Sequence, residues 1–332
     1  MRFALLGAGR IGRLHARILA ATPGVDGVLV ADPLPAAAEA VAAETGATVA
    51  PSPEAAIDAA DAVVIAAATD AHAGLVRAAI GRGRAVFCEK PLAENLEDTI
   101  AVADAVDVAG VPFQLGFQRR FDPGYREARR LIETGELGTV YGFRLAGHDP
   151  APPHEAYIPV SGGLFRDFSI HDFDVIRWLI GSEVAEVYAT GAVRGFPVFA
   201  TYDDVDTAAV TIRMAGGPLG VLDVARHDPL GYDIRAELFG SKDSVAVGLG
   251  PRTPIRSVEP GVPAPTGPAW GGFIERFEAA YRAEIVAFVS VARGEVPAAC
   301  TAHDGVEALR IAEAATRSLH EHRPVALEEI PG

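Results

Sequence analysis

Cysteine is scarce in this chain: 332 residues contain two, Cys88 and Cys300. That is too few for a disulfide framework, and Cys88 closes the apolar run Ala85-Val86-Phe87, where a buried reduced thiol is expected. Long apolar runs are also missing. No stretch approaches the roughly 20 apolar residues that a membrane helix needs. The first apolar run is broken at Gly7 and Arg10, so it reads as a first strand and not as a signal peptide. Positive charge is in deficit: 29 Lys and Arg stand against 44 Asp and Glu, a formal net charge of −15. That balance argues against a nucleic acid or an anionic membrane surface as partner. Neither H-x-x-x-H nor C-x-x-C spacing supports a metal site, although His148, His154, His171 and Asp172 are candidate ligands by residue type. Internal repeats are not seen. With 49% hydrophobic and 22% charged residues, the expectation is a globular, cytoplasmic protein long enough for two domains.

What the chain does contain is concentrated first in residues 3 to 32. An apolar strand runs into Gly7-Ala8-Gly9-Arg10-Ile11-Gly12, a G-x-G-x-x-G, and then into a helix. A second apolar run, Val28 to Ala31, ends on Asp32, 20 residues after the last glycine. Strand, turn, helix and acidic residue together form the dinucleotide-binding fingerprint. Gly7 permits the tight turn, and Gly9 lets backbone N–H groups at the helix N-terminus approach a pyrophosphate. Arg10 and Ile11 complete that approach, and Gly12 lets helix and strand pack closely. Asp32 accepts hydrogen bonds from ribose hydroxyls and repels a 2′-phosphate, so the pattern favours NAD over NADP.

Strands and helices alternate through the first third, with a fully apolar strand at 62–67 as expected in a parallel sheet covered on both faces. Ser52 is an expected helix cap with Pro53 in the first turn. The pattern implies a doubly wound parallel sheet in residues 1–120. Beyond it, residues 121–332 read as a second, α+β domain with an open, mostly antiparallel sheet. Its strands are expected at 138–146, 184–193, 205–214, 219–226, 232–239 and 244–247. A Pro/Gly-rich loop spans 147–163, a helix runs from Asp167 to Ile180 with Gly181 as its C-terminal cap, and helices at 273–293 and 303–320 close the chain. An open sheet face commonly buries against a partner copy, so a homo-oligomer, dimer or tetramer, is expected. In strand 205–214 the set Asp206, Ala208, Val210, Ile212 and Met214 serves either that interface or the domain's own helices.

Two clusters carry chemistry. Strand 85–88 ends in Glu89-Lys90-Pro91. A lysine at the carboxyl end of such a strand faces the ligand crevice, within reach of a nicotinamide ribose and a substrate hydroxyl. A surface lysine fits this triplet alone equally well. Pro91 is a position where a cis peptide bond is admissible. The second cluster is Gly162-Gly163-Leu164-Phe165-Arg166-Asp167-Phe168-Ser169-Ile170-His171-Asp172. Asp167 and His171, four apart, share one helix face. A carboxylate orienting an imidazole makes a tuned general base; a helix N-terminus with a buried histidine gives the same pattern. His15, His227, His303, His320 and His322 read as structural or solvated.

Taken together, LLGAGRIGRLHA, CEKPLA, GFQRRFDPGY, GG-x3-D-x3-HD, GYDI and RFEAAYRAEI make the chain resemble the Gfo/Idh/MocA family of NAD(P)-dependent oxidoreductases over essentially its full length. It is most similar to the inositol 2-dehydrogenase branch. The resemblance implies a catalytic triad of Lys90, Asp167 and His171. It implies substrate contacts from Arg119, His148, Tyr232 and Tyr281, and cofactor contacts from Thr69, His72, Glu89, Lys90 and Gln118. Of the adjacent Arg119 and Arg120, one is expected to face the pocket and the other to form an ion pair. The implied reaction is NAD+-dependent oxidation of a secondary ring hydroxyl, of myo-inositol or scyllo-inositol. Alternatives are an aldose or anhydro-sugar dehydrogenase, a glycoside hydrolase working through transient oxidation with NAD held, and a sensor of NAD or sugar. Two departures fall on the substrate wall: the double glycine before Asp167, and Asp149 where the branch has Asn.

Overall fold

From residue 2 to 116 the chain alternates strand and helix: β1 (Arg2–Leu6), α1 (Arg10–Ala20), β2 (Gly27–Ala31), α2 (Pro35–Thr45), β3 (Thr48–Val49), α3 (Pro53–Ala59), β4 (Ala62–Ile65), α4 (Thr69–Ile80), β5 (Ala85–Glu89), α5 (Leu96–Ala109) and β6 (Phe113–Gly116). This is a computed structural model, and it describes all 332 residues. The six strands form one parallel sheet in the order β3-β2-β1-β4-β5-β6. β4 and β5 are buried along their whole length, which is why they are continuously apolar up to Cys88. Local signals act as read: Ser52 Oγ accepts from Ala55 N at 3.2 Å with Pro53 at the start of α3. Asn95 caps α5 in the same way through Asp98 N.

The remainder contains α6 (Pro123–Glu133), β7 (Val140–His148), α7 (Ile158–Ser161), α8 (Ile170–Ile180), β8 (Val184–Ala192), α9 (Val198–Thr201), β9 (Thr207–Met214), β10 (Leu219–Ala225), β11 (Asp233–Gly240), β12 (Ser244–Val247), α10 (Phe273–Ala292), α11 (Ala302–Glu321) and β13 (Val325–Ala326). The second sheet runs β12-β11-β7-β10-β9-β8-β13. Every pairing is antiparallel except β7 with β10. The segment read as a loop from 147 is shorter than expected. β7 runs on through His148, and a 3-10 turn over Glu155–Tyr157 leads into α7.

The chain divides into two units, Met1–Phe121 with Ala279–Glu307 and Asp122–Glu278 with Ala308–Gly332. Residues 279–307, placed by sequence reading in the second domain, cluster with the first. Their reason is packing on the parallel sheet. Phe288 is fully buried with its ring centroid 6.1 Å from Phe3 and 5.7 Å from Phe87. Leu115 N donates to Cys300 O at 3.1 Å. Such burial contributes about 1.5–3 kcal/mol per large apolar side chain. α10 is kinked at Phe277, where φ is −115° and ψ 18°, and the division falls one residue later.

In the second unit the inward set of β9, Ala208, Val210, Ile212 and Met214, is buried. Its burial is within the chain itself, and the opposite set, including Ala209, Thr211 and Arg213, lies on the exposed face. Ser318 Oγ on α11 accepts from Ala189 N of β8 at 2.9 Å, tying helix to sheet. No helix of the chain is long and apolar enough to cross a membrane.

Candidate functional site

The first unit reverses its strand order between β1 and β4, the place where open α/β sheets bind ligands. Gly7 leaves β1 with φ +102°, and a Cβ there would lie 2.4 Å from Ala66 O. A Cβ on Gly12 would lie 2.0 Å from Gly7 O. Both positions therefore exclude any side chain. Gly9 differs: nothing lies within 4 Å of its Cβ position, and it caps α1 without a side-chain hydrogen bond. The first N–H groups of α1 thus meet open space at the positive end of a helix, a ready site for a pyrophosphate. Asp32, half-buried, accepts from Ala8 N at 2.7 Å and from Leu34 N at 2.8 Å. It braces the glycine turn and stands at the strand end where a ribose is read. The residues present fit NAD.

Glu89 ends β5 and is 9% exposed. Its Oε1 lies 2.6 Å from Nε2 of the fully buried His15. The His15 ring meets Phe87 and Tyr281 edge-on, with centroids 5.4 and 6.0 Å away. His15, read as structural or solvated, is buried and holds Glu89. Tyr281, expected at the substrate, is buried against that ring within the first unit. Lys90 follows Glu89, half-buried, and the Lys90–Pro91 bond is cis.

His72 is buried, with Nδ1 2.7 Å from Pro91 O and Nε2 3.1 Å from Ala67 O. Burial pushes its pKa below the ordinary histidine range, against the pull of the two carbonyls. The ring thus ties the segment after β4 to the one after β5. Thr69 opens α4, half-buried. Gln118, Arg119 and Arg120 follow β6 in a buried 3-10 turn. Arg120 pairs with Asp304 at 2.8 Å and donates to Ala299 O at 2.9 Å. The expected ion pair is accordingly found on Arg120; Arg119 is 2% exposed.

In the second unit Gly162 and Gly163 adopt φ +81° and +88°. Phe165–Ser169 then forms a π turn that runs straight into α8, where a plain α-helix from Asp167 was expected. π turns of this kind recur at functional sites. Asp167 sits inside that turn, and His171 is the second residue of α8, half-buried, with Nδ1 shut off from solvent. Asp167 Oδ1 accepts from the Tyr157 hydroxyl at 2.9 Å, and Oδ2 accepts from Arg226 Nη1 at 2.8 Å. The same Nη1 lies 3.6 Å from Asp149 Oδ2.

Arg226 follows β10 and is 2% exposed. Burial works against its charge, but Asp167, Asp149 and Asp204 outweigh it and raise its pKa. Gly147 on β7 makes room for this arrangement: a Cβ there would lie 2.6 Å from Phe168 Cε1 and 3.4 Å from Asp172 Oδ2. Tyr232 is 5% exposed, fixed by its N–H to Trp270 O at 2.8 Å.

His148 ends β7 one residue beyond Gly147. Its Nε2 lies 3.1 Å from Asp223 Oδ2 and its Nδ1 3.6 Å from Asp228 Oδ2. Asp233 stands opposite in the β11 register and takes Arg235 Nε on both oxygens, at 2.9 and 3.0 Å. Burial alone would lower the His148 pKa, but Asp223, Asp233 and Asp228 together raise it. His148 thus faces carboxylates, while Asp167 is held by Arg226 and Tyr157.

Family comparison supplies the deciding observation. The model of the oxidoreductase family, NAD-binding Rossmann fold, matches residues 1–117, and that of the GFO/IDH/MocA C-terminal domain matches residues 125–246. The chain belongs to the Gfo/Idh/MocA oxidoreductase family. It is 41% identical over 322 residues to myo-inositol dehydrogenase Hyg17 of Streptomyces leeuwenhoekii, covering 96% of this chain and 97% of that one. It is 38% identical to inositol 2-dehydrogenase of Rhizobium meliloti strain 1021, covering 98% and 99%. Among solved structures, scyllo-inositol dehydrogenase from Lactobacillus casei with bound cofactor NAD(H) and scyllo-inositol superposes with TM-score 0.89 at 27% identity, covering 99% of each chain.

Within this Gfo/Idh/MocA oxidoreductase, sequence reading passed over Arg226 and Tyr157. Arg226 had a usable signal: like Glu89 after Cys88, it is a charged residue directly after the last apolar position of a strand, here LGVLDVA. Tyr157 had none, because it lies in a Pro-rich segment without periodicity.

Proposed function

We propose that this chain oxidises a secondary ring hydroxyl of a cyclitol, myo-inositol or scyllo-inositol, with NAD+ as acceptor. The observation that carries this reading is the full-length likeness to several inositol dehydrogenases, joined to a first unit whose glycine turn and Asp32 fit NAD. When bound, NAD+ supplies the two-electron acceptor.

In this proposal His171 Nε2 takes the hydroxyl proton as general base. Asp167, ahead of it in the chain by one helical turn, stabilises the imidazolium that forms. Lys90 Nζ donates a hydrogen bond to the reacting oxygen and favours the negative charge that develops there. His72 and Glu89 position the segment that carries Lys90. Arg119, His148 and Tyr232 are the proposed substrate contacts; Tyr281 is buried within the first unit. Thr69 and Gln118 are proposed at the cofactor.

The exposed face of the second sheet carries Tyr188, Leu219 and Val221 beside Arg213, Glu186 and Arg144, around a depression of about 460 Å³. Apolar groups mixed with both signs of charge suit a self-complementary contact. A homo-oligomer, dimer or tetramer, is proposed on this face, and Val221→Glu is expected to lower the oligomeric state in sedimentation. A cytoplasmic location is proposed from two free, buried cysteines.

The test is reduction of NAD+ by the purified chain over a panel of cyclitols and aldoses, repeated with NADP+. Turnover on an inositol with NAD+ is expected. Turnover confined to an aldose or anhydro-sugar would move the substrate, and NAD retained through purification with no reduction on any polyol would overturn the dehydrogenase reading.

A further inference from the structure

We propose that Arg226 is a positioning residue for the oxidation, shared between Asp149 and Asp167 so that it fixes the Asp167 carboxylate and sets how far that carboxylate raises the basicity of His171. The inference rests on the reading of Asp167 and His171 as the acid–base pair.

A guanidinium 2% exposed is costly to bury unless carboxylates compensate it. The compensation here is lopsided. Nη1 reaches both Asp167, at 2.8 Å, and Asp149, at 3.6 Å, while Nε and Nη2 are buried without a protein acceptor. An arginine placed for stability alone would present its fork to one carboxylate bidentately. Asp167 in turn accepts from Tyr157 on Oδ1 and from Arg226 on Oδ2, so its carboxyl plane is pinned.

A carboxylate near an imidazole favours the protonated ring, and a cation on that carboxylate offsets the effect. Asp149 competes for the same cation. Arg226 and Asp149 therefore pull the His171 titration in opposite directions. The titratable groups around Arg226 are Asp149 after β7, Asp204 before β9, Asp167 and Tyr157. His171 and Asp172 follow on α8, and His148 and Asp228 lie at the neighbouring strand ends.

The experiment compares Arg226→Met, Arg226→Lys and Asp149→Asn with the wild type in two readouts. One is the pH dependence of kcat/KM for NAD+-dependent inositol oxidation. The other is the His171 ring titration by NMR in the NAD-loaded protein, with the signal assigned by its loss in His171→Ala. Arg226→Met is expected to lower kcat about tenfold or more, and to move the acid limb and the His171 titration up by roughly half to one pH unit. Arg226→Lys is expected to restore the limb, and Asp149→Asn to move it down. A folded Arg226→Met with limb and titration unmoved, or Asp149→Asn moving them in the same direction as Arg226→Met, overturns the proposal. Should Arg226→Met fail to fold, the sign of the Asp149→Asn shift decides. Wild-type turnover in Asp167→Asn and His171→Ala would instead sink the acid–base pair, a separate failure that the turnover-free titration distinguishes.

Discussion

At the ends of β1 and β2 the first unit offers little but backbone: Gly7, Gly9, Gly12 and one carboxylate, Asp32, itself braced on Ala8 N. At the ends of β7 and β10 the second unit crowds His148, Asp149, Asp167 and Arg226, each held by another charged side chain. The first arrangement binds by leaving room and aiming N–H groups; the second handles protons by setting charges against one another. The difference teaches where each is vulnerable. A backbone site fails sterically, through a single methyl group in the wrong place. A charge network fails electrostatically, through one missing partner or a change of pH.

The comparison breaks most sharply at Lys90. Lys90→Met is expected to cost about 10²–10⁴ in kcat while NAD affinity, measured by fluorescence, stays within a factor of a few. Equal loss of both would place Lys90 in cofactor binding instead.

Next come the two glycines that differ in surroundings. Gly12→Ala puts a methyl 2.0 Å from Gly7 O, and is expected to cost about 1–3 kcal/mol of stability together with NAD binding. Gly9→Ala meets open space, so its melting temperature should hold while NAD affinity falls. Parallel thermal melts and NAD titrations separate the two. Similar stability losses in both would undo the assignment of Gly9 to the cofactor and Gly12 to packing.

The smallest effect belongs to His148. Its pKa is raised in the folded chain, burial being outweighed by Asp223, Asp233 and Asp228. A raised folded value contributes stability that is fully present below the unfolded pKa, about 6.5, and is lost as pH rises through the folded value. Asp223→Asn should therefore flatten the pH dependence of unfolding across that window. Because Asp223 is largely exposed, the change is expected at a few tenths to about 1 kcal/mol. A slope unchanged in Asp223→Asn would assign the shift to Asp228 and Asp233.

The same contrast governs how much could be read from sequence. The glycine turn, its strand and helix, and Asp32 lie within 31 residues, from Arg2 to Asp32. Their conformation is set locally, so this turn and its acidic residue were legible. The buried strands β4 and β5 and the caps Ser52 and Gly181 were legible for the same reason. Asp167 and His171 were singled out by their spacing together with the family resemblance, but the π turn was not, since helical periodicity does not distinguish a widened turn. Arg226 lies 59 residues from Asp167; no local pattern couples them, because register between β7 and β10 brings Arg226 to Asp149. Likewise residues 279–307 read as helices of the second half, and tertiary contacts such as those of Phe288 with Phe3 and Phe87 place them with the first sheet.

The central claim is that the first unit holds NAD while Asp167 and His171 of the second move the proton. The most direct measurement is NAD binding and inositol turnover side by side in His171→Ala. The account predicts unchanged NAD affinity with kcat reduced by about 10² or more. Turnover at the wild-type rate would contradict it.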